Sequence, residues 1–391
     1  MTAPVGYGRN TVGGAGGAVV TVNSHSALKT ALKAAGKSVI VITQNIEFTE
    51  GNVIGEKVND KTMLGLPGVK LISNAQVKNG GILELKSGSS NVIIRNLIFE
   101  GPGAYDVDGR DLLTNNGCIG LWVDHCEFYD GVDGNFDNSN TADNITVSWC
   151  KFGYRKAPKA GGSGGSADHR FSNLIGGSDS TYPADGRYSI TFHYCYWSDG
   201  CKDRMPRARN AEIHLLNCYY NVDVSNANAL GFSAGDKGLD CYVENCHFKK
   251  INTVCKTNYG GSPSVTFSGC NAGSKSYSNA GSLVGKPAYP CTALDVSDVE
   301  AAVTAACGAG ATLQVTANGE VTSGGQPLSV ADAPSPGEWR LQQSPNELTI
   351  CGIQVEEMTL YNLFGGRVRH VAGSQNMNVP ALNSGFYILS I

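Results

Sequence analysis

No apolar run in this 391-residue chain reaches the ~18–20 residues that a bilayer-crossing helix needs, so no membrane span is expected. The opening Met-Thr-Ala-Pro-Val-Gly-Tyr-Gly lacks both the charged and the apolar stretch of a secretory leader. Either the chain is cytosolic or a leader has been removed from it. An excess of positive charge is missing too: 30 Lys and Arg face 34 Asp and Glu, for a net charge of −4. That gives no broad basic field and argues against a nucleic-acid partner, although a local group of cations can still hold an acidic substrate. No Cys-x-x-Cys pair and no His-x-x-x-His spacing occurs, which argues against a zinc site.

Glycine, by contrast, is abundant at 50 residues, and Asn, Ser and Thr are plentiful. Such a composition favours many short strands joined by tight turns. The chain is longer than the usual single core, but elongated all-β folds run long as one domain. Five cysteines recur in one context, small residue then aromatic two positions later: Cys126, Cys150, Cys195, Cys218 and Cys246. Their intervals are 24, 45, 23 and 28 residues, a period in the twenties that marks a coiled, solenoidal β architecture. At the repeat position they read as small buried hydrophobes stacked coil on coil. Thirteen cysteines is an odd number, so at least one is unpaired within the chain. A few of the others are candidates for disulfides.

Short β-branched runs bounded by Gly, Asn and Asp recur from Val39 to Asn245, as strands do. Ahead of them, Ser24 to Gly36 reads as a helix with Ser24 or Ser26 as N-cap, Leu28 and Leu32 on one face and Gly36 as the stop. It would close the first coil. Ala157–Asp168 is a Gly/Ser-rich stretch that reads as a mobile insertion and explains the interval of 45. A second short helix is expected from Val296 to Gly308. The organisation predicted is a solenoid over 1–317, a linker over 318–338 and a small β-sandwich module over 339–391.

Aligned on the cysteines, one face collects charge. Asp133 and Asp137 share a side if Gly134-Asn-Phe-Asp137 is extended, and Asp111 precedes Asp133 by about one coil. Rungs lie ~4.8 Å apart, and three carboxylates that close cannot all ionise without a cation. Ca²⁺ suits such an oxygen set and leaves positions open for a substrate carboxylate. Each aspartate alone reads as a turn residue; the coincidence of three on adjacent rungs favours the metal. Arg204-Met-Pro-Arg-Ala-Arg209 falls about two rungs on, with Lys156 and Lys159 between. Pro206 fixes φ and helps hold the guanidinium groups. A line of acid, lysine and arginine would bind a polyanionic chain along the solenoid axis. Asp124-His125, His193 and His214 read as structural.

Gly120-Leu-Trp-Val-Asp-His-Cys-Glu-Phe, Asp133-Gly-Asn-Phe-Asp137, Ile145-Thr-Val-Ser-Trp-Cys-Lys-Phe, Leu174-Ile-Gly-Gly-Ser-Asp179 and Arg204-Met-Pro-Arg-Ala-Arg209 follow one another in an order that resembles the pectate lyases of polysaccharide lyase family 1. The resemblance covers roughly residues 5–310. It implies a right-handed parallel β-helix and calcium-dependent β-elimination on polygalacturonate, in pectin degradation outside the cell. By motif position it implies calcium on Asp111, Asp133 and Asp137, Arg204 as the base that takes the C5 proton, and Arg209 as a substrate-carboxylate ligand beside Arg207. The family lysine normally stands just ahead of Leu-Ile-Gly. Here the insertion intervenes, and Lys156, Lys159 and Arg170 compete for the role. Cysteines replace the family's stacked asparagines on five rungs. A guanidinium base ordinarily titrates above ~12, so activity is expected to rise above neutral pH. The tail resembles C-terminal sorting modules of secreted bacterial proteins, which implies a secreted protein addressed to secretion machinery; its rival is an accessory carbohydrate-binding module. A monomer is expected. The alternatives are a metal-free pectin lyase acting on methyl-esterified chains, a polygalacturonase, and a non-catalytic β-helical binding protein.

Overall fold

The computed structural model describes residues 3–322 and, beyond them, six strands between 340 and 390. Residues 3–322 form a right-handed parallel β-solenoid whose short strands fall into parallel sheets of ten, eight and eight. Each of eight full turns contributes one strand to each sheet, and Ala18–Val22 and Ser264–Ser268 add the two end strands of the ten. Ile119–Asp124, Glu127–Tyr129 and Phe136–Ser139 make one turn, and Asp143–Ser148, Lys151–Gly153 and Leu174–Ile175 make the next. Their registers align Leu121 with Ile145, Phe128 with Phe152 and Asn138 with Ile175.

A repeated corner produces the coil. Between the first and second sheets the chain turns through one residue of positive φ, namely Asn96, His125, Trp149, Tyr194, Asn217 and Asn245. The next residue points inward, and from His125 onward it is the ladder cysteine. Cys126, Cys150, Cys195, Cys218 and Cys246 are all fully buried, and each thiol lies within hydrogen-bond reach of a carbonyl one turn away, as Cys150 Sγ does with Val123 O at 3.6 Å. Cys270 adds a sixth rung with Val243 O. Two residues on, the aromatics stack as well: Phe99 on Phe128, Phe128 on Phe152, Trp197 on Tyr220 and Tyr220 on Phe248. All twelve described cysteines are free thiols, so the expectation of disulfides is corrected for them. Eight of the twelve are buried, where a free thiol behaves as a small hydrophobe.

Left-handed backbone costs a non-glycine residue roughly 1–2 kcal/mol, and the corners show how this is offset. Trp149 and Tyr194 stack at 4.3 Å, a contact worth about 0.5–1.5 kcal/mol. The asparagines bind a returning strap instead. Asn217 and Leu294 exchange two hydrogen bonds of 2.8 Å, and Asn96 does the same with Leu313. Between these ties runs α2 (Val296–Thr304), whose Val299 and Val303 pack on Tyr219. The strap then returns to Val41 and Leu64 through Leu313 and Val315. Residues 318–322, expected to open the linker, instead complete the hairpin of Gln314–Val315 with Val321–Thr322. The remainder of that expected linker lies outside the described residues.

α1 (His25–Lys33) begins at Ser24, whose hydroxyl caps Ala27 N, and it buries Leu28, Ala31 and Leu32 in the solenoid core. Residues 326–391 form a separate unit that carries two three-stranded antiparallel sheets. How those sheets pack, and hence the expected sandwich, falls outside what is described.

On the outer face of the ten-stranded sheet, Asp124 is fully buried against Arg95 at 2.8 Å and His125 at 2.8 Å. Burial alone would raise its pKa, but His125, Arg95 and Ser148 outweigh it and hold it at about 2. Burial, reinforced by His214, lowers His193 to about 3. Asp124 and His125 therefore serve the scaffold, as expected. His214, bonded to Tyr289 at 2.6 Å and Glu244 at 3.0 Å, does so too. Both depressed groups bind fewer protons folded than unfolded, so both stabilise the fold at neutral pH. The His193 contribution is complete above pH 6.5 and disappears toward 3; that of Asp124 is complete above about 4 and disappears toward 2. The urea midpoint of unfolding should therefore fall in two steps on acidification, and His193→Gln should flatten only the upper one.

Candidate active site

The third sheet, reached after the second corner, carries an outward row that changes sign along the axis. Glu84 pairs with Thr114, Thr114 with Asp137, Leu174 with Arg207, Arg207 with Gly231, and Gly231 with Lys256. Asp137 stands beside Leu174, whose N–H it accepts at 2.8 Å. Parallel strands in register thus bring side chains dozens of residues apart within reach of one another.

Asp111 and Asp137 converge around Gly134. A Cβ placed there would lie 2.7 Å from Asp111 Oδ1 and 3.1 Å from Asp137 Oδ1. Asp111 Oδ2 accepts from Thr114 at 2.9 Å, while Oδ1 is buried without a hydrogen-bond partner. Burial, then Asp137 and Asp133, push Asp111 well above the ordinary carboxylate range. Burial also raises Asp137 to about 7, although Arg204 and the Leu174 amide oppose it. Asp111 and Asp137 therefore converge, and Asp133 is near enough to raise both, but not by the route the sequence reading assumed. Asp133 lies in a bend and the strand begins only at Phe136. The expectation of an extended 133–137 segment is corrected. Asn135 folds back to accept from Gly131 N at 3.2 Å, and Asn135 N and Phe136 N both donate to Ser172 O, so a turn aims Asp133 instead of strand alternation. An orphaned carboxylate oxygen, a glycine cradle and buried acids that must otherwise be protonated fit a hard divalent cation.

Arg204 sits across from this pocket at φ +59. A bulky residue in that region is held by its surroundings. Here Arg204 N donates to Asp203 Oδ1 at 2.6 Å, its carbonyl accepts from Asn173 N at 2.6 Å, and Asn228 anchors Asp203 at 2.8 Å. The guanidinium lies 4.7 Å over the Phe171 ring, and Nε is buried without a partner. Arg207 is stacked on Tyr259 at 4.2 Å, and burial together with Arg204 lowers its pKa. Arg209 holds Asp179 at 3.2 Å. Its Nε is also buried without a partner.

The three residues competing for the lysine role have other partners. Lys156 Nζ donates to Gly101 O at 2.6 Å, Lys159 lies 4.1 Å over Tyr105, and Arg170 grips Asp168 with two bonds of 2.7 and 2.6 Å. Phe171, which the sequence reading passed over, is the side chain ahead of Leu174 that meets Arg204. His169 and Asp106 were missed as well; His169 is buried 3.0 Å from Asp133. The signal was its place between the insertion and Leu174-Ile-Gly. Nor is the insertion loose: Lys159 N donates to Ala104 O, Gly164 N to Asp106 O and Ser166 N to Asp106 Oδ2. The expectation of mobility is corrected, because glycine and serine there leave backbone donors free to dock.

A pectate lyase family model matches residues 2–311. The chain is 35% identical over 219 residues to a pectate trisaccharide-lyase of Thermotoga sp. strain RQ2, covering 54% of this chain and 53% of that protein. It is 32% identical over 188 residues to a pectate lyase of Bacillus subtilis, covering 40% of each. The chain thus spans about half the length of such curated relatives, or less. Its fold is that of a thermostable pectate lyase (TM-score 0.61, 20% identity, 79% of this chain and 98% of the other). It is also that of a Bacillus sp. N165 pectate lyase solved with trigalacturonate (TM-score 0.56, 20% identity, 76% and 96%). With a family model spanning most of its length and a solenoid of the same build, the chain belongs to the pectate lyase family.

Proposed function

We propose that this protein is a secreted, monomeric, calcium-dependent pectate lyase that cleaves α-1,4-polygalacturonate by β-elimination to 4,5-unsaturated oligogalacturonides. The observation that carries the proposal is the juxtaposition of the buried Asp111 and Asp137 carboxylates, with Asp133 acting on both, and Arg204, fixed in left-handed backbone just ahead of the strand two rungs along. Asp111, Asp133 and Asp137 would hold the calcium, with α1 closing the first turn and the 326–391 unit serving as a secretion address. A divalent ion there would neutralise a uronate carboxylate and acidify the proton α to it.

The chain's own groups do the rest. Arg209 and Arg207 orient further carboxylates of the polymer from the neighbouring strand. Arg204 takes the C5 proton, the electron pair left behind forms the C4–C5 double bond, and the C4–O bond breaks toward the leaving chain. Phe171 lies 4.7 Å from the guanidinium and offers it no hydrogen bond that would direct it elsewhere. Because a guanidinium gives up its proton reluctantly, the rate should climb above neutral pH. A pectin lyase of Pectobacterium carotovorum is also similar, at 28% over 266 residues. The acidic pocket disfavours a methyl ester, which offers no charge to a bridging cation.

Four measurements test this reading. Polygalacturonate plus calcium should yield an ultraviolet-absorbing unsaturated product, and chelator should abolish it; full activity after chelation removes the metal from the mechanism. Arg204→Ala should lower kcat by about 10³-fold or more with an unchanged melting curve, whereas a near-normal rate would place the base elsewhere. Gly134→Ala crowds Asp111 Oδ1 and should weaken calcium binding at least tenfold by calorimetry. Removing residues 340–391 should leave kcat and binding to insoluble pectin intact; lost binding would make that unit a carbohydrate-binding module.

A further inference from the structure

His169 follows directly on the docked insertion and is only 5% exposed. Its Nε2 lies 3.0 Å from Asp133 Oδ1, and its Nδ1 lies 3.3 Å from Asp106 Oδ1. Neither ring nitrogen has the alignment of a hydrogen bond to any partner. One donor atom from each of Asp106, Asp133 and His169 falls within 4.8 Å of the other two. Asp106 is itself buried and fixed by the insertion, its Oδ2 accepting from Ser166 N at 2.6 Å. That leaves Oδ1 to face the imidazole.

Neutral imidazole carries one N–H and one lone pair, and the partner of the first decides where the second points. A carboxylate on Nδ1 keeps the proton there and turns the Nε2 lone pair outward, as in the carboxylate–histidine–metal arrangement of many metal sites. With its proton toward Asp106, His169 would turn that lone pair to Asp133. Two donors bound at ~2.1 Å in octahedral geometry stand about 3.0 Å apart, which is the separation of Nε2 and Asp133 Oδ1. The other cluster of this kind, His214 with Glu244 and Cys291, differs. Both its ring nitrogens are bonded, and the Lys286 ammonium occupies Glu244 at 2.7 Å.

We propose that His169 Nε2 and Asp133 hold a second divalent cation beside the all-oxygen pocket of Asp111 and Asp137, with Asp106 orienting the imidazole. An imidazole ligand is a poor match for Ca²⁺ and suits first-row transition ions, of which Mn²⁺ is the one that also favours a carboxylate such as Asp133. The ion at this position therefore belongs to that class. The proposal rests on the preceding reading only in sharing Asp133; His169 and Asp106 carry it.

The test uses the full chain, stripped with chelator, refilled with saturating Ca²⁺ and titrated with MnCl₂. Pulsed electron paramagnetic resonance should show bound Mn²⁺ coupled to one imidazole nitrogen, and the coupling should change in protein carrying ¹⁵N-histidine. His169→Gln should remove the coupling and weaken Mn²⁺ at least tenfold while Ca²⁺ affinity stays within about threefold. Asp106→Asn should weaken Mn²⁺ less, and His214→Gln should leave the nitrogen coupling and the Mn²⁺ affinity unchanged. Mn²⁺ without nitrogen coupling in the wild-type protein, or no Mn²⁺ binding beside Ca²⁺, overturns the proposal even if His169→Gln fails to fold. Those results leave the calcium reading intact when chelator still abolishes cleavage. Conversely, nitrogen-coupled Mn²⁺ in a protein that cleaves without calcium would uphold this site and sink the earlier reading.

Discussion

A corner repeated once per turn sets the rest of the molecule. Each turn has to reverse through left-handed backbone and then drop a small side chain inward, so that the next turn can lie ~4.8 Å away. Where the corner residue is asparagine, its amide ties down the returning strap; where it is His125, Trp149 or Tyr194, ring stacking holds the column. The inward cysteines are compact enough to stack without a void and polar enough to reach a carbonyl on the preceding turn. Uniform rungs then place the third sheet in register, and the sign change from Glu84 and Asp137 to Arg207 and Lys256 follows from that register.

On that sheet, electrostatics and burial oppose each other. Asp111 and Asp137 lie nine-tenths or more out of solvent, where a pair of bare carboxylates is costly. The fold tolerates them in two ways: a proton on each, as their raised pKa directions indicate, or a cation among them. Gly134 matters because it keeps the second option open. A side chain there would fill the space between the two Oδ1 atoms, and protonation would become the only relief. The arginines show the converse. Arg204 and Arg209 each keep a buried Nε without a partner, which leaves their hydrogen-bonding capacity for a ligand.

The sequence was most legible where chemistry repeats at fixed spacing. The cysteine column, the solenoid class and the approach of Asp111 to Asp137 could be read because rung spacing converts sequence separation into position. Features that depend on contacts between distant turns were not legible. Asp133 reaches the pocket through a bend that Asn135 and Ser172 create, and no alternation rule contains that bend. Phe171 carried no signal in the sequence; its place shows only where Arg204, 33 positions later, lies over its ring. The absence of local histidine and cysteine spacing was the argument against a zinc site. It has no force against ligands drawn from separate turns, which is how Asp106, Asp133 and His169 meet.

The insertion of 157–168 shows why composition misled. Glycine and serine make a chain flexible only when its backbone donors face water. Here Asp106 offers a carbonyl and a carboxylate that accept from Gly164 and Ser166, and side chains at 162 or 164 would collide with it. The small residues are therefore what permits close docking. The docked loop in turn fixes Asp106, Asp106 faces His169, and His169 reaches Asp133 in the acidic pocket. A segment that reads as a spacer between two rungs thus becomes the outer wall of the site, and its length is explained by the carboxylate it has to reach.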